Sequence, residues 1–199
     1  MVNIFKKGYR VLGIAESFVK NKRYSILCGV VYRRDNVIDG IQCSKIHVGG
    51  LDATEGVLRI YEKLARTDIN LILTNGCIVS WFNIIDIEKV YRTLKVPIIC
   101  ITYEESEGIE KYIRKYFGED ENRIQLYRKL GGRDKIYIKK SKRYVYVRYY
   151  GLTLEEVRIL INSLIRFGAV PEPLRLANLI ARAFLKIFYC EDFQYNERK

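Results

Sequence analysis

The stretch Val170-Pro171-Glu172-Pro173-Leu174-Arg175-Leu176-Ala177 opens the last long apolar segment of the chain. Proline fixes its own φ and has no amide hydrogen, so it suits the first turn of a helix and disrupts the middle of one. Two prolines two positions apart therefore mark a helix start. The sequence predicts a last helix from Leu174 to about Tyr189, followed by a polar tail from Glu191 to Lys199.

A hairpin or late strand is predicted upstream of this stretch, between residues 135 and 150. Side chains alternate there between small apolar types and polar or aromatic types, which is the period of a strand with one buried face. The two predicted faces carry Val145 and Val147 on one side and Tyr144, Tyr146 and Arg148 on the other.

The first part of the chain contains three apolar, strand-length runs separated by short polar breaks. Connections this short are too brief for a parallel crossover, so the runs predict an antiparallel meander. The predicted strands are Gly8–Ile14, Tyr24–Tyr32 and Val37–His47.

The period changes after Gly49 and Gly50. Apolar residues then recur at helical spacing, and Asp52 with Glu55 forms a D-x-x-E capping pattern at a helix start. Two buried-type strands at residues 71–74 and 97–101 alternate with helices, which is the order that parallel crossovers produce. The predicted helices downstream are residues 84–94 with Asn83 as N-cap, 108–117, and 153–167 with a Thr153/Glu156 capping box.

These elements predict one α/β domain over residues 1–190, with a mixed sheet made of an antiparallel meander and then parallel strands with flanking helices. This is the element order of the ribonuclease H-like fold, although other mixed sheets begin in the same way. A hydrophobic content of 49% in 199 residues is sufficient for one substantial core.

The composition argues against a membrane protein, an exported protein and a zinc site. The longest apolar stretches are strand-sized, and Met1–Arg10 lacks the apolar segment and cleavage site of a signal peptide. The five cysteines are an odd number without C-x-x-C spacing, so we expect reduced thiols in a cytoplasmic protein. Because His47 is the only histidine, any bound metal is expected to be a hard ion held by oxygen.

The chain carries 35 Lys and Arg against 23 Asp and Glu, a formal net charge of +12. Such a surplus attracts polyanions through counterion release, so nucleic acid is the expected partner. The surplus is concentrated in residues 128–148, where nine basic residues accompany a single acid, Asp134. The alternative is a solvated surface of the kind found in Lys- and Arg-rich thermophilic proteins.

Several segments together resemble an archaeal protein family described as endonuclease dU, a distant relative of endonuclease V. The most specific is Val170–Ala177, since endonuclease V has nearly the same P-E-P-x-R-x-A string before its last helix. The resemblance covers most of the chain and implies the same ribonuclease H-like fold. The other segments are residues 10–14 with the acidic position that follows, 49–55, Asn75-Gly76 leading into 81–86, and 96–99.

In that superfamily, acids from the first strand, from the region after the third strand and from the end of the fourth converge on one or two divalent cations. Such cations prefer charged oxygens and activate water for phosphodiester cleavage. The resemblance therefore implies Mg²⁺ or Mn²⁺ as cofactor, with Glu16, Asp52 and Asn75 as catalytic residues and metal ligands.

Three positions depart from the family pattern. Ala15 stands where an aspartate is usual, Asn75 replaces the acid of an Asp-Gly motif, and Asn178 replaces a histidine or aspartate. Glu16 can replace an acid at position 15 only if the strand ends or bulges between them, because neighbouring side chains point to opposite faces. The alternatives are a helix N-cap for Asp52 and an ordinary strand-ending turn for Asn75.

Five residues are candidates for nucleic-acid contact. Trp81 could stack on an extruded base, and Arg143 and Arg148 interleave with tyrosines as in a groove that follows a strand. Arg175 could reach a phosphate or, equally, pair with a carboxylate, and Asn178 follows the P-E-P-L-R-L-A string. A tyrosine-rich edge strand without a ligand is the alternative for the strand residues.

The sequence predicts a metal-dependent endonuclease-like hydrolase with a partly degenerate metal site. It would act in DNA repair on deaminated or otherwise damaged nucleic acid, DNA rather than RNA. The alternative is a protein of the same fold that binds nucleic acid without catalysis, because Ala15, Asn75 and Asn178 each remove part of the expected chemistry. A module that binds another polyanion is a third possibility.

Overall fold

The structure, a computed structural model, describes residue 6 and residues 8–196, with side chains only as far as residue 190. Residues 1–5 and 7 lie outside the described residues, and they are most of the Met1–Arg10 segment in which no signal peptide is predicted. Residues 197–199 of the predicted tail also lie outside them. The strands are β1 (Arg10–Ser17), β2 (Tyr24–Arg33), β3 (Ile38–His47), β4 (Leu71–Asn75), β5 (Ile78–Val79), β6 (Asn83–Ile84), β7 (Ile98–Thr102), β8 (Asp134–Ile138) and β9 (Arg143–Tyr150). The helices are α1 (Ala53–Leu64), α2 (Ile87–Leu94), α3 (Glu110–Phe117), α4 (Glu121–Lys129), α5 (Leu154–Leu164) and α6 (Glu172–Asn196).

The main sheet of the described chain has seven strands in the order β3-β2-β1-β4-β7-β9-β8. β1, β4 and β7 are parallel, whereas β2 with β3 at one side and β9 with β8 at the other pair antiparallel. The predicted meander, the parallel crossovers and the late hairpin are therefore confirmed. β5 and β6 form a small separate ribbon after β4.

Helices cover both faces of the central strands, which are apolar on both sides as parallel strands usually are. On one face, Val57 of α1 and Val90 of α2 pack with Leu12 and Ile14 of β1. On the other face, α5 packs through residues such as Leu160, and α6 crosses β1 and β2. The first strand therefore lies at the centre of the core.

The stretch Val170–Ala177 packs directly on β1. A Cβ atom placed on Gly13 would lie 2.5 Å from the Cβ of Pro173, so only a glycine permits this approach. One helical turn further along α6, Ala177 packs with Ala15 and Val30. The motif thus seats the start of α6 on the strand that carries the first expected metal ligand.

α2 begins at Ile87, three residues later than the sequence predicts, and its N-cap is Asp86. Asp86 Oδ1 accepts a hydrogen bond from the Lys89 amide at 3.0 Å. The prediction of Asn83 as this cap is wrong because a contact distant in sequence takes its side chain. Asn83 lies in β6, and its Oδ1 accepts a hydrogen bond from the Ala53 amide at the start of α1.

α4 is a helix that the sequence pattern does not predict, because its segment is polar with few apolar positions. α6 continues to Asn196, past the predicted end near Tyr189, so the predicted polar tail is helical up to that residue. Although α6 is long, no helix among the described residues is long and apolar enough to cross a membrane.

Cys28 and Cys43 form a disulfide, so the prediction of reduced thiols is wrong for this pair. The two residues are direct partners in the antiparallel register of β2 and β3, with Cα atoms 4.1 Å apart. They pack beneath α6, beside Ala181. The other cysteines are free: Cys77 and Cys100 are buried, and Cys190 is exposed.

Candidate functional site

The carboxyl ends of β1, β4 and β7 meet at one edge of the sheet, which we call the carboxyl edge. These strands end at Ser17, Asn75 and Thr102. β3 runs in the same direction as β1, so Asp52, which follows it, belongs to the same edge. Open α/β sheets bind ligands outside the carboxyl ends of their parallel strands, so this edge is the candidate site.

β1 continues without a bulge through positions 15 and 16. Ala15 pairs with Cys28 and Glu16 with Leu27 in uninterrupted antiparallel register. The two side chains therefore point to opposite faces. Ala15 faces α6 and packs with Ala177, whereas Glu16 faces the α1 side. The condition under which Glu16 could take the place of an acid at position 15 is not met.

Asn75 and Asn178 border the same region as Ala15. Asn75 follows Leu73 at two-residue spacing, and that leucine belongs to the core beneath α5 and the start of α6. Asn178 of α6 donates a hydrogen bond from Nδ2 to the backbone oxygen of Glu16 at 3.4 Å. The three positions that depart from the family pattern thus lie together on the α6 side of the sheet.

Glu16 is half-buried beside two serine hydroxyls. Ser80 Oγ donates to Glu16 Oε2 at 3.4 Å, and Oγ of Ser25 lies 2.6 Å from that of Ser80 in a second hydrogen bond. Burial raises the pKa of the Glu16 carboxyl above its ordinary value, and the hydrogen bonds from Ser80 offset this only in part. The protonated form is therefore favoured relative to an exposed glutamate, whereas a metal ion binds the anion.

Asp52 precedes α1, but its side chain does not cap that helix. Its carboxylate accepts hydrogen bonds from the His47 amide at 3.1 and 3.2 Å and from Asn83 Nδ2 at 2.8 Å, and it lies 2.9 Å from Nδ1 of the His47 ring. Burial opposes ionisation, but the hydrogen bonds from His47 and Asn83 prevail and lower the pKa of Asp52. The capping-box explanation is wrong, since Glu55 instead pairs with Lys89 at 2.6 Å.

Asn83 is the buried residue that positions Asp52. Its Nδ2 also donates to the backbone oxygen of His47 at 3.0 Å, and its Oδ1 accepts from the Ala53 amide at 2.9 Å. One fully buried amide thus connects the end of β3, the Asp52 carboxylate and the first turn of α1. The strength of this support explains why the helix start needs no cap from Asp52.

The turn between β5 and β6 consists of Ser80, Trp81 and Phe82, with φ values of 45°, 61° and 65°. Left-handed backbone costs a residue other than glycine about 1–2 kcal/mol, so neighbouring contacts must hold this turn. One such contact is the hydrogen bond of 2.7 Å from the Gly49 amide to the Ser80 carbonyl oxygen. The turn therefore depends on the loop that leads to Asp52.

Trp81 is half-exposed at the carboxyl edge. Its ring packs against Tyr116 with centroids 4.9 Å apart, and Lys20 Nζ lies 3.7 Å from the Trp81 centroid. Phe82 meets the same ring edge-on, with centroids 5.2 Å apart. An aromatic surface with an adjacent cation is suited to a nucleobase and its phosphate.

Arg123 of α4 organises the loops around this turn, and sequence reasoning missed it. Its guanidinium donates to the carbonyl oxygens of Gly49 and Gly50, both at 2.9 Å, and to that of Phe82. Its side chain is only 4% exposed, and Nε pairs with Asp120 at 3.1 Å. The sequence pattern that could have indicated this helix is Asp120-x-x-Arg123, in which Asp120 is the N-cap of α4.

A cavity of about 390 Å³ opens at the carboxyl edge between the ends of β4 and β7. Asn75, Arg133 and Arg148 line it, with Glu104 and Glu105 at its border. Arg148 Nε donates to the backbone oxygen of Gly131 at 3.0 Å, which holds its side chain in place. Asn75 and Arg148, which the sequence singled out for different reasons, thus both line this cavity.

Two further candidates have other surroundings. Arg143 is exposed at the start of β9, whose pairing with β7 begins only at Tyr146. Arg175 pairs with Glu172 in the first turn of α6, with Nε 2.8 Å from Oε2. Of the two explanations for Arg175, the carboxylate pair is the one observed.

The expected ligands do not fit, as a set, the divalent cation that the family resemblance implies. Among the side chains that the structure describes, no group of three or more His, Cys, Asp and Glu could hold a metal ion. On the α6 side, Ala15, Asn75 and Asn178 supply at most neutral oxygens, which magnesium binds weakly. Glu16 points to the other face, and the Asp52 oxygens already accept hydrogen bonds. No catalytic step is therefore assigned to a metal ion.

Sequence comparisons identify a family and close relatives. A profile of the family described as endonuclease dU matches residues 7–185. A UPF0215 protein of Pyrobaculum calidifontis is 37% identical over 171 residues, which cover 85% of this chain and 93% of the relative. A UPF0215 protein of Pyrococcus furiosus is 30% identical over 192 residues, which cover 94% and 97%.

Solved structures share the fold. A protein of unknown function from Archaeoglobus fulgidus superposes with a TM-score of 0.76 at 27% identity, covering 88% of this chain and 98% of that one. Endonuclease V of Ciona intestinalis, in complex with inosine-containing DNA, has a TM-score of 0.62 at 15% identity, with coverage of 90% and 87%. These likenesses confirm the ribonuclease H-like, endonuclease V-like fold that the sequence predicts.

Proposed function

Because the chain belongs to the endonuclease dU family, we propose that it hydrolyses phosphodiester bonds of deaminated or otherwise damaged nucleic acid. The family and the endonuclease V-like fold are those of nucleases. The observation that carries the proposal is the cavity at the carboxyl edge, which Asn75, Arg133 and Arg148 line. A pocket of this size admits a nucleobase, and the two guanidinium groups suit the adjoining phosphates.

Of the substrate contacts that the sequence predicts, Arg148 lines this cavity, and the others are proposed for the flanking nucleotides. Arg148 and Arg143 bind phosphates, and Trp81 stacks on a base displaced from its neighbours. Asn178 contacts the nucleic-acid strand next to β1. Arg175 contributes through its ion pair with Glu172 and not by binding a phosphate. DNA is proposed before RNA, in a repair role, since an endonuclease V of the same fold has been solved with inosine-containing DNA.

The requirement for Mg²⁺ or Mn²⁺ stays a prediction, with Glu16, Asp52 and Asn75 as its expected ligands. Asp52 is an anion at neutral pH, but Asn75 supplies only a neutral oxygen and burial raises the pKa of the Glu16 carboxyl. We therefore expect weak metal binding.

A second candidate function is binding of the same nucleic acid without hydrolysis. The observation in its favour is the α6 side of the carboxyl edge, where Ala15, Asn75 and Asn178 replace the residues that the family uses. Such a protein would keep the basic surface and the cavity. Its partner would be an active nuclease or another repair protein.

The test is cleavage of labelled oligonucleotides that contain one uracil or one hypoxanthine, with undamaged strands as the control. Magnesium and manganese are added in turn, and a chelator is the negative control. Damage-dependent cleavage that is lost in Asp52→Asn and kept in Glu62→Gln, a change at an exposed position of α1, supports the enzyme. Salt-dependent binding of the same strands without cleavage supports the second candidate.

A double variant, Ala15→Asp with Asn75→Asp, provides a readout that does not depend on activity. Ala15 is buried with Val30 and Ala177, so an aspartate there is a destabilising charge unless a cation neutralises it. Manganese should therefore raise the Tm of this double variant. The control is the single variant Ala15→Asn, whose Tm should not change with manganese. Equal Tm values with and without manganese would show that this side of the edge is not a latent metal site.

A further inference from the structure

The outward face of the β8–β9 hairpin carries a row of aromatic and basic side chains, which we call the hairpin face: Lys135, Tyr137, Tyr144, Tyr146 and Arg148. Val145 and Val147 alternate with them and are buried in the core. The two strands pair so that Lys135 lies opposite Tyr146 and Tyr137 lies opposite Tyr144. All five side chains therefore share one surface.

The exposed rings of the hairpin face have cations beside them. Tyr137 and Tyr144 are 46% and 52% exposed, and their ring centroids lie 5.2 Å apart. Lys135 Nζ lies 4.7 Å from the Tyr144 centroid, and the Arg133 guanidinium lies 4.9 Å from that of Tyr146. Aromatic faces for bases and cations for phosphates are the two components of single-strand binding sites.

Positive charge near the hairpin face is not neutralised by neighbouring acids. Elsewhere in the basic segment, Arg128 pairs with Glu110 and Lys129 with Asp86. Within the described part of the chain, no ion pair with an acid is made by any of these hairpin cations: Lys135, Lys139, Lys142 and Arg143. A polyanion would therefore not have to displace a paired carboxylate from these side chains, and its binding would release counterions.

The hairpin face leads into the cavity at the carboxyl edge. Arg133 and Arg148, at one end of the face, both line that cavity with Asn75. From Tyr144 to Arg148 the strand spans about 13 Å, at roughly 3.3 Å per residue, so a strand of a few nucleotides fits along it. A base in the cavity would have its neighbours on the hairpin face.

The free edge of β8 is covered at its carboxyl end by a side chain of α5. Asn162 of α5 accepts a hydrogen bond from the Lys139 amide at 3.2 Å and donates one to the Tyr137 carbonyl oxygen at 3.4 Å. These are the backbone groups that an incoming strand would need. Asn162 therefore opposes addition of a peptide strand at this end of β8, whereas the face with its rings stays open to a nucleic-acid ligand.

We propose that the hairpin face binds the single-stranded nucleic acid that flanks the nucleotide held in the cavity. The inference rests on the proposed function and specifies its substrate: a strand unpaired on one side of the damaged nucleotide. A duplex hides the faces of its bases within the stack, so it cannot use Tyr137 and Tyr144 in this way.

The test is binding of labelled oligodeoxythymidine and oligouridine strands, and of a DNA duplex, measured by fluorescence anisotropy at low and physiological salt. Stacking contributes about 1–3 kcal/mol per base, so Tyr144→Ala should weaken single-strand binding at least about 5-fold. Tyr144→Phe, which keeps the ring, should retain most of the affinity. Duplex binding should change little in either variant.

Tyr112→Ala is the matched control, because Tyr112 is an exposed tyrosine on α3 with Lys111 5.2 Å from its ring. Tyr137→Ala is a second test if Tyr144→Ala does not fold. Unchanged single-strand affinity in the hairpin variants, an equal loss in Tyr112→Ala, or no single-strand binding by the wild type overturns the inference.

Failure of this inference and failure of the proposed function are distinguishable. Damage-dependent cleavage that Tyr144→Ala leaves unchanged refutes the hairpin face and keeps the enzyme. Single-strand binding that depends on Tyr144, with no cleavage of any damaged strand, keeps the hairpin face and refutes the enzyme.

Discussion

Replacing Arg123 by methionine should strongly destabilise the protein and loosen the carboxyl edge. Methionine keeps the unbranched apolar stem of the side chain but not the guanidinium, whose Cζ atom lies 4.0 Å from the Phe117 ring centroid in the wild type. It removes every hydrogen-bond donor. The carbonyl oxygens of Gly49, Gly50 and Phe82 then lose their common partner.

The expected loss follows from these three acceptors. A buried polar group without a partner costs about 1–3 kcal/mol, but water can reach part of this turn and such costs are not additive. Breaking a buried charged network by removing one partner typically costs about 3–5 kcal/mol, which we take as the expected value. This is a large share of the stability of an ordinary domain, about 5–15 kcal/mol.

Urea unfolding provides the measurement, with two probes that report different regions. Trp81 is the single tryptophan and lies in the turn that Arg123 holds, so its fluorescence reports the turn. Far-ultraviolet circular dichroism reports the whole fold. We expect both midpoints to fall in Arg123→Met and the fluorescence transition to precede the other, because the turn loses its support first.

Arg128→Met is the control on the same helix, since Arg128 is exposed and pairs only with Glu110 at the surface. Exposed pairs contribute little to stability. If Arg123→Met lost no more stability than Arg128→Met, the buried network would not hold the turn, and the reasoning would be refuted.

Three other changes have definite expectations. Gly13→Ala places a Cβ 2.5 Å from Pro173 and should cost about 1–3 kcal/mol of unfolding free energy in urea titrations, as overpacking does. Burial raises the pKa of Glu16, so ionisation of this carboxyl destabilises the fold as pH rises above the ordinary value of 4.5. Glu16→Gln should therefore raise Tm at pH 7. This gain should disappear when the pH is lowered below 4.5. Reducing the Cys28–Cys43 disulfide, which closes a separation of 15 residues, should lower the unfolding free energy by about 3 kcal/mol.

Each of these changes has a control elsewhere in the chain. Gly132→Ala adds a Cβ that meets nothing within 4 Å, so it should leave stability nearly unchanged. Glu62→Gln, on the exposed side of α1, should show no such gain in Tm at pH 7. Cys190→Ser should leave the effect of reductant intact, because this thiol is free. A variant that behaves like its control contradicts the corresponding argument.

The central strands could be predicted closely because their burial is visible in the sequence. β4 and β7 are apolar runs, and the observed bounds differ from the prediction by one residue, at the carboxyl end of β4 and at both ends of β7. α4 could not be predicted in this way. Its buried residues, Arg123 and Ile124, are too few for a helical period, and Arg123 is stabilised by carbonyl groups from two distant loops.

The candidate site shows the same division between local and long-range information. Alternation along β1 was enough to state that Ala15 and Glu16 face opposite sides unless the strand bulges, but only the register with β2 excludes the bulge. The local sequence predicts that Asp52 caps α1, but in the structure its side chain accepts hydrogen bonds from His47 and Asn83 instead. The Cys28–Cys43 bond likewise depends on strand register, which spacing alone does not give.

The amide of Asn162 has a consequence for how copies of the protein can associate. Growth of a cross-β fibre requires every chain to accept a new strand at both sides of its sheet. Here the outer backbone groups near the end of β8 are occupied by a side chain from α5. A second chain that pairs along this end of β8 must first displace Asn162, so this side chain opposes growth of a continuous ribbon of chains there.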